Sequence, residues 1–327
     1  MQKKVKVGVI GAGHLGKHHI KHLSKHLSVE FVGFFDLDKE NAKKVSNKFS
    51  VRSFESESDL IGAAEGISIV TPTETHYDIA VKCLKKKKDV FIEKPITSTS
   101  QEAKKIIKMA QTNKNIVQVG HIERFNPTIN QLKKVISSPH CIEIERLAPF
   151  QTRGTDVPVV LDLMVHDIDL ILSMVNEKIE SIAASGSKMM SKTIDLAHAQ
   201  IKFTNGVVAN LKSSRIAQNY VRKIRTYEEN LYTVTDLMIP QIEVYNLKTG
   251  LNTSSESTSK KIDTSDGEKT MFYDKIVPEE KDALLEEINN FIDSIQTRKN
   301  PLVDGIQGLN ALEIALEIEK KALQNVR

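Results

Sequence analysis

Two features of this chain are suited to chemistry. One is Lys94 in Glu93-Lys94-Pro95, the tripeptide closing the apolar run Val90-Phe91-Ile92. That run reads as a strand, and an ammonium at the carboxyl end of a parallel strand sits where doubly wound sheets bind ligands. The other is Asp162 and His166, one helical turn apart and therefore on a common face. Leucine, methionine, valine and isoleucine surround them, which argues against a solvated polar stripe. A carboxylate presented with an imidazole suits alcohol oxidation: as hydride leaves carbon, the hydroxyl proton must also leave, and a histidine titrating near neutrality accepts it. An ammonium on the same oxygen stabilises the developing carbonyl. Asp162 would orient the hydroxyl or favour the imidazolium. Lys94, Asp162 and His166 form the expected catalytic set, provided that they border one substrate. Taken singly, Glu-Lys-Pro and an Asp–His pair are ordinary turn and helix-surface features.

The segment upstream gives them weight. Gly11-Ala12-Gly13-His14-Leu15-Gly16 follows the strand-like Val5–Ile10 and opens a helix. Gly11 permits the tight turn, Gly13 lets backbone approach a pyrophosphate, and Gly16 allows close packing, while the amides at His14 and Leu15 face the negative charge. Asp36 ends the second strand at the distance expected of an acid on the adenosine ribose. It favours NAD over NADP, with Lys39 the one nearby cation. The strand Gly66 to Val70 ends in Thr71-Pro72-Thr73-Glu74-Thr75-His76, where the strand order should reverse. Thr71 and Thr73 would line the nicotinamide ribose. His76 opens a helix beside them, and Glu93 and Lys94 complete the cofactor-facing set.

These groups need a scaffold. Val5–Ile10, Glu30–Phe35, Gly66–Val70, Asp89–Ile92 and Ile116–Val119 read as strands. The segments His14–Leu27, Lys39–Phe49, His76–Lys86 and Ser100–Gln111 carry helical periodicity between them. Such alternation specifies a parallel sheet covered on both faces. Beyond Gly120 the pattern changes. A long helix over Val159–Val175 precedes strands at Ile182–Ala184, Ala197–Phe203, Val207–Ser213, Lys223–Thr226 and Ile242–Leu247. Asn252–Lys269 lacks periodicity and reads as a mobile loop, and helices at Glu279–Thr297 and Gly305–Gln324 close the chain. The fold class is α/β: an N-terminal Rossmann doubly wound parallel sheet over 1–122, then over 123–327 a C-terminal α+β domain with a large, mostly antiparallel sheet.

Composition excludes other classes. The 327 residues suit two domains, and 40% hydrophobic with 27% charged residues describes an ordinary globular protein. The net charge of +4 is dispersed. Its longest block, Lys85–Lys88, complements a helix carboxyl end and lacks the interleaved aromatics of a nucleic-acid surface. The two cysteines, Cys83 and Cys141, have no ligand spacing, and His18, His22 and His26 have no carboxylate or thiolate to complete a metal set. They read as surface residues, and no metal is expected. The chain enters its first strand directly, without an apolar signal segment or membrane span, so cytoplasmic residence and no membrane partner are expected.

Together, Gly11–Gly16, Glu93-Lys94-Pro95 and Asp162–His166 resemble the glucose-fructose oxidoreductase and inositol dehydrogenase family, Gfo/Idh/MocA, over nearly the whole chain. The resemblance implies NAD-dependent oxidation of a sugar ring hydroxyl with Lys94, Asp162 and His166 as the catalytic set. It also implies a cis Lys94–Pro95 bond and a second domain that assembles homodimers or homotetramers. The strings Val119–Pro127 and Asp162–Asp169 are similar to those of bacterial members that oxidise the 3-hydroxyl of UDP-N-acetylglucosamine. An aminotransferase acts next there, giving a 2,3-diamino sugar for lipid A. Arg124, Arg153 and Arg215 are candidate diphosphate contacts by chemistry, and Arg124 and Asn126 join Lys94, Asp162 and His166 as expected substrate residues. Glu228-Glu229-Asn230 replaces the glycine-centred turn common in the family's second domain. Two rivals are a dehydrogenase of free sugars or inositols and a non-catalytic NAD-binding sensor.

Overall fold

A computed structural model describes residues 3–151, 155, 157–248, 258–265 and 267–324. The contacts divide them between two compact units. The first comprises Met1–Phe125 and Asp282–Glu313. Its five strands, β1 (Val5–Ile10), β2 (Val29–Phe35), β3 (Gly66–Ile69), β4 (Asp89–Glu93) and β5 (Val117–Gly120), are parallel in the order β2-β1-β3-β4-β5. β3 and β5 are buried throughout and β4 as far as Ile92, as strands covered on both faces must be. The connecting helices are α1 (His14–Leu23), α2 (Lys39–Phe49), α3 (Glu57–Ala63), α4 (Thr73–Lys85) and α5 (Ser100–Asn113). The order reverses between β1 and β3, which makes their carboxyl ends the switch point.

Asp282–Glu313 belongs to this unit through α8 (Ala283–Thr297). Phe291 packs edge-on to Phe91 at 5.9 Å within a core that includes Ile20, Leu23, Phe34 and Ile292. Buried Gln118 donates to the Glu287 carbonyl at 2.9 Å. Asp89, at the start of β4, accepts from the Ile116 amide at 2.7 Å and from Arg298 at 2.6 Å. Contacts from so far along the chain leave no local mark in the sequence.

The second unit comprises Asn126–Lys281 and Ile314–Arg327. After α6 (Pro127–Val135) come β6 (Cys141–Leu147), β7 (Ile179–Ser187), β8 (Leu196–Phe203), β9 (Val208–Ser214), β10 (Val221–Tyr227), β11 (Leu231–Asp236), β12 (Gln241–Lys248), β13 (Thr258–Thr264) and β14 (Gly267–Ile276). They form one sheet in the order β13-β14-β12-β11-β10-β6-β9-β8-β7. Only β6 and β9 pair in parallel. One face buries Ile142, Ile144, Ile201, Leu211 and Ile224. The opposite pleat carries Glu143, Glu145, Lys212, Arg225 and a row of tyrosines, Tyr227, Tyr232, Tyr245 and Tyr273, with neighbouring rings 5.0, 5.6 and 5.2 Å apart. The helix expected over 159–175 is a π-helical turn, Val160–Met164, running into α7 (Val165–Met174). The last helix, α9 (Gly305–Gln324), begins in the first unit and ends in the second.

Several expectations are corrected. The periodicity missed α3, α6, β6 and β11, whose short or charge-rich sequences dilute the apolar signal. Part of the supposed loop Asn252–Lys269 is strand: β13 and β14 pair from Thr264↔Gly267 to Thr258↔Tyr273, because alternating β-branched and polar residues suffice for a sheet edge. Residues 252–257 lie outside the described range. Glu228-Glu229-Asn230 does turn β10 into β11 without glycine, with the Glu228 amide donating to the Leu231 carbonyl at 2.8 Å. The Glu228 carboxylate also accepts from the Ser137 amide and hydroxyl at 2.7 and 2.9 Å.

Buried Asp195 organises the turn before β8. Burial works to raise its pKa, but the Ser191 hydroxyl and the amides of Met190, Met189 and Ser191 outweigh that and hold it at about 2. A depressed carboxylate stabilises the fold above its unfolded value, and the contribution disappears as pH falls through the folded one. The wild type should therefore lose stability between pH 3.8 and about 2, whereas Asp195→Asn should lose less over that interval in circular-dichroism melts. Equal acid sensitivity would show that Asp195 does not titrate as described.

Candidate active site

The glycine turn shows which of its glycines the chain itself requires. Gly11 has φ +94°, and an added Cβ would lie 2.2 Å from the Val70 carbonyl oxygen. At Gly16 a Cβ would lie 2.0 Å from the Gly11 carbonyl oxygen. At Gly13 it would meet nothing within 4 Å. The fold therefore demands Gly11 and Gly16, while the bare backbone at Gly13 leaves room for a ligand. α1 begins there without a side-chain cap and with no acidic residue in its first turn, whereas α2, α3 and α5 are capped by Asp38, Ser56 and Thr99. Its amides and dipole are thus left for an anion, and His14 and Leu15 are exposed on that turn. Half-buried Asp36 accepts from the Ala12 amide at 2.7 Å through Oδ2 and from the Asp38 amide at 2.8 Å through Oδ1. The Asn41 side-chain amide adds a third donor at 3.3 Å, and since a carboxylate has about four acceptor sites, one remains for a ribose hydroxyl. These features fit a dinucleotide.

α4 also starts without a side-chain cap, at Thr73. The Thr75 hydroxyl donates to the Pro72 carbonyl at 2.8 Å and lies 2.7 Å from the Thr71 hydroxyl. His76 is buried rather than open at the helix start. Its Nε2 lies 2.9 Å from the Thr71 carbonyl and its Nδ1 3.0 Å from that of Pro95. Burial lowers its pKa, although both carbonyls favour the charged ring. A neutral ring donates to only one carbonyl at a time. His76 is seated between the β3 turn and the Lys94–Pro95 turn and bonds one of them at a time; the Lys94–Pro95 peptide bond is cis.

Glu93 ends β4. Its Oε1 lies 3.1 Å from Nε2 of buried His19, and its Oε2 accepts from the Lys94 amide at 3.2 Å. Lys94 itself is half-buried. Arg124 is buried in the 3₁₀ turn Ile122–Phe125, and Asn126 caps α6, accepting from the Thr128 amide at 2.9 Å. The Arg215 guanidinium donates to the Val157 carbonyl and faces Asp195 at 3.9 Å, an internal pairing. Arg153 lies outside the described residues.

In the second unit, Asp162 stands in the π-helical turn and His166 at the start of α7, both half-buried. π turns recur at functional sites. Asp167 and Asp169, charged residues of the same helix, are 1% and 2% exposed. Arg146 of β6 grips Asp167 through Nε at 2.9 Å and Nη2 at 2.7 Å, fixing the helix beside His166 to the sheet. The sequence held one signal for this pair: the strand-like alternation of Ile142 and Ile144 puts Arg146 on the buried face. His22 and His26 are half-buried too, bonded to Asp282 and Asn289 at 3.3 and 2.8 Å. Among the described residues, no group of histidine, cysteine and carboxylate side chains is placed to hold a metal, and no helix is long and apolar enough to cross a membrane.

A doubly wound sheet with a glycine turn feeding an uncapped helix defines a dinucleotide-binding protein. Residues 5–121 match the sequence model of an oxidoreductase family with an NAD-binding Rossmann fold, and residues 146–230 match the GFO/IDH/MocA C-terminal domain. The chain is 32% identical to UDP-N-acetylglucosamine 3-dehydrogenase of Acidithiobacillus ferrooxidans over 96% of each chain. A solved structure of that enzyme superposes with TM-score 0.88 at 30% identity, covering 98% of this chain and 99% of the other. The chain is also 23% identical to myo-inositol 2-dehydrogenase of Thermotoga maritima, over 99% of this chain and 97% of that one. This chain belongs to the Gfo/Idh/MocA oxidoreductase family. It is an NAD-dependent oxidoreductase.

The glycines separate fold from binding. Gly13→Ala should leave the thermal midpoint unchanged but weaken NAD binding about 5- to 150-fold, the equivalent of a methyl overpacked by about 1–3 kcal/mol. Gly16→Ala should lower both stability and affinity. Calorimetric titration and thermal melts check this, and full NAD affinity in Gly13→Ala would remove the phosphate from that turn.

Proposed function

We propose that the protein oxidises the 3-hydroxyl of UDP-N-acetylglucosamine to the 3-keto sugar, with NAD as acceptor. The observation that carries this reading is the 32% identity, across 96% of both chains, to a dehydrogenase of that substrate. Bound NAD supplies the hydride acceptor. Gly11, Gly13, His14, Leu15 and Gly16 hold its pyrophosphate, Asp36 its adenosine ribose, and Thr71, Thr73, Glu93 and Lys94 border its nicotinamide end, with His76 seated between the two turns. Lys94 grips the reacting oxygen and stabilises the forming carbonyl, Asp162 orients the hydroxyl, and His166 takes its proton. Arg124 and Asn126 belong to the substrate side. The boundary expected at residue 122 gives way to the two units: the first, Met1–Phe125 with Asp282–Glu313, serves as the NAD-binding domain, and the second as the substrate and assembly domain. The tyrosine row and mixed charges of the open sheet face support a homodimer or homotetramer, since amphipathic aromatics are favoured at interfaces. An aminotransferase would consume the keto product on the way to lipid A, in the cytoplasm.

The test is NADH formation with a panel of UDP sugars and inositols, with an aminotransferase to draw off the ketone. UDP-N-acetylglucosamine should be turned over with inhibition by free UDP. Turnover of myo-inositol alone would assign the inositol reaction, and no NADH with any sugar would leave a binding protein. His166→Ala should retain NAD binding and lose about 10²–10⁴-fold in turnover, the usual worth of a positioned acid–base group. Asp36→Ala should accept NADP, and continued exclusion of NADP would assign that choice to another group.

A further inference from the structure

Buried within the first unit is a polar chain that ends on Glu93 and whose other members, Ser68 and His19, have no part in the chemistry assigned to the site. His19, six residues after Gly13 on the second turn of α1 and 1% exposed, lies between two partners. Its Nδ1 is 3.0 Å from the hydroxyl of Ser68 on β3, which is 2% exposed, and its Nε2 is 3.1 Å from Glu93 Oε1. Phe91 packs edge-on to the ring at 5.1 Å. The far oxygen of Glu93 accepts from the Lys94 amide. Gly120 on β5 leaves space for the carboxylate, since a Cβ there would lie 2.9 Å from Oε2.

The donors and acceptors match along one direction. An ionised carboxylate only accepts, so Nε2 carries the proton on that side, and the Ser68 hydroxyl donates to Nδ1. Burial works to raise the pKa of Glu93, but the hydrogen bond from His19, together with the Lys94 charge and amide, brings it below the ordinary value. Apolar side chains at positions 19, 68 and 93 together would fill this space without desolvating polar groups, so packing alone gives no reason for the network. What the polar chain adds is a fixed orientation of Glu93, and through it of the Lys94 backbone.

We propose that His19 is a positioning residue for Lys94: Ser68, His19 and Glu93 form a buried chain that locks the Lys94 amide and so aims its ammonium. This rests on the part assigned to Lys94 in the reaction. The chain also ties α1, which holds the pyrophosphate, to the strand end that carries the reacting group.

The full-length protein tests this with His19→Gln and His19→Asn. The glutamine amide nitrogen falls near the position of Nε2 and can still donate to Glu93, whereas asparagine reaches only toward Ser68. In His19→Asn, hydrogen exchange of the Lys94 amide in the cofactor-free protein should speed up about tenfold. Its kcat should fall about 10- to 100-fold, as misplacement of a reacting group costs, while KM for NAD stays within about twofold. His19→Gln should restore both readouts. Equal impairment of the two variants, unchanged exchange and kcat in His19→Asn, or a kcat loss matched by lost NAD affinity would each overturn the proposal. Should His19→Asn fail to fold, Ser68→Ala must move exchange and kcat the same way by about two- to tenfold, and no change in either overturns it. Lys94→Met, assayed alongside, separates the two readings: full turnover there removes Lys94 from the chemistry and the rate effect with it, whatever the exchange shows.

Discussion

A carboxylate taken almost out of water persists only where its charge is met, and Glu93 at the end of β4 is met by His19, the Lys94 amide and the Lys94 charge. The rest of the nucleotide edge is arranged around that constraint. Gly120 gives the carboxylate room. His76 holds the carbonyl of Pro95 from the β3 turn. Asp89 and Arg298 pin the opposite end of β4, and Phe91 between them is sealed by Phe291 of α8. A strand so fixed along its length can present a lysine with little freedom, which is what the role proposed for Lys94 requires.

The second unit applies the same physics with a different pair. Arg146 and Asp167 are both nearly fully buried and doubly bonded. Their partnership gives little net stability over an apolar pair, but breaking it strands a charge, so it specifies one orientation of the helix. That helix departs from α geometry where Asp162 stands. A rigid anchor beside an irregular turn fits a segment held for function rather than for packing.

Much of this was legible in the sequence, for identifiable reasons. The parallel strands are short apolar runs bounded by turn residues, so their positions survive to within a residue or two. The glycine turn, Asp36 and Glu93-Lys94-Pro95 are local patterns and lie together at one sheet edge. What stayed hidden depends on distant partners. Asp167 reads as a helix-surface acid until Arg146 is seen against it. His19 is one histidine among several on α1, and only burial against Ser68 and Glu93 separates it from exposed His18. β6 alternates Ile142 and Ile144 with Glu143 and Glu145, but Arg146 puts a charge on the buried face and cuts the apolar run short, and the return of Asp282–Glu313 to the first unit has no local signal at all.

In the proposed reaction a hydride leaves carbon 3 of the sugar while a proton leaves its oxygen. The most direct measurement is the fate of deuterium placed at that carbon of UDP-N-acetylglucosamine during turnover with NAD and a coupled aminotransferase. Deuterium recovered on the nicotinamide ring of NADH, with a slowed rate, is the expected result. Unlabelled NADH, or label retained on the sugar, contradicts oxidation at that position.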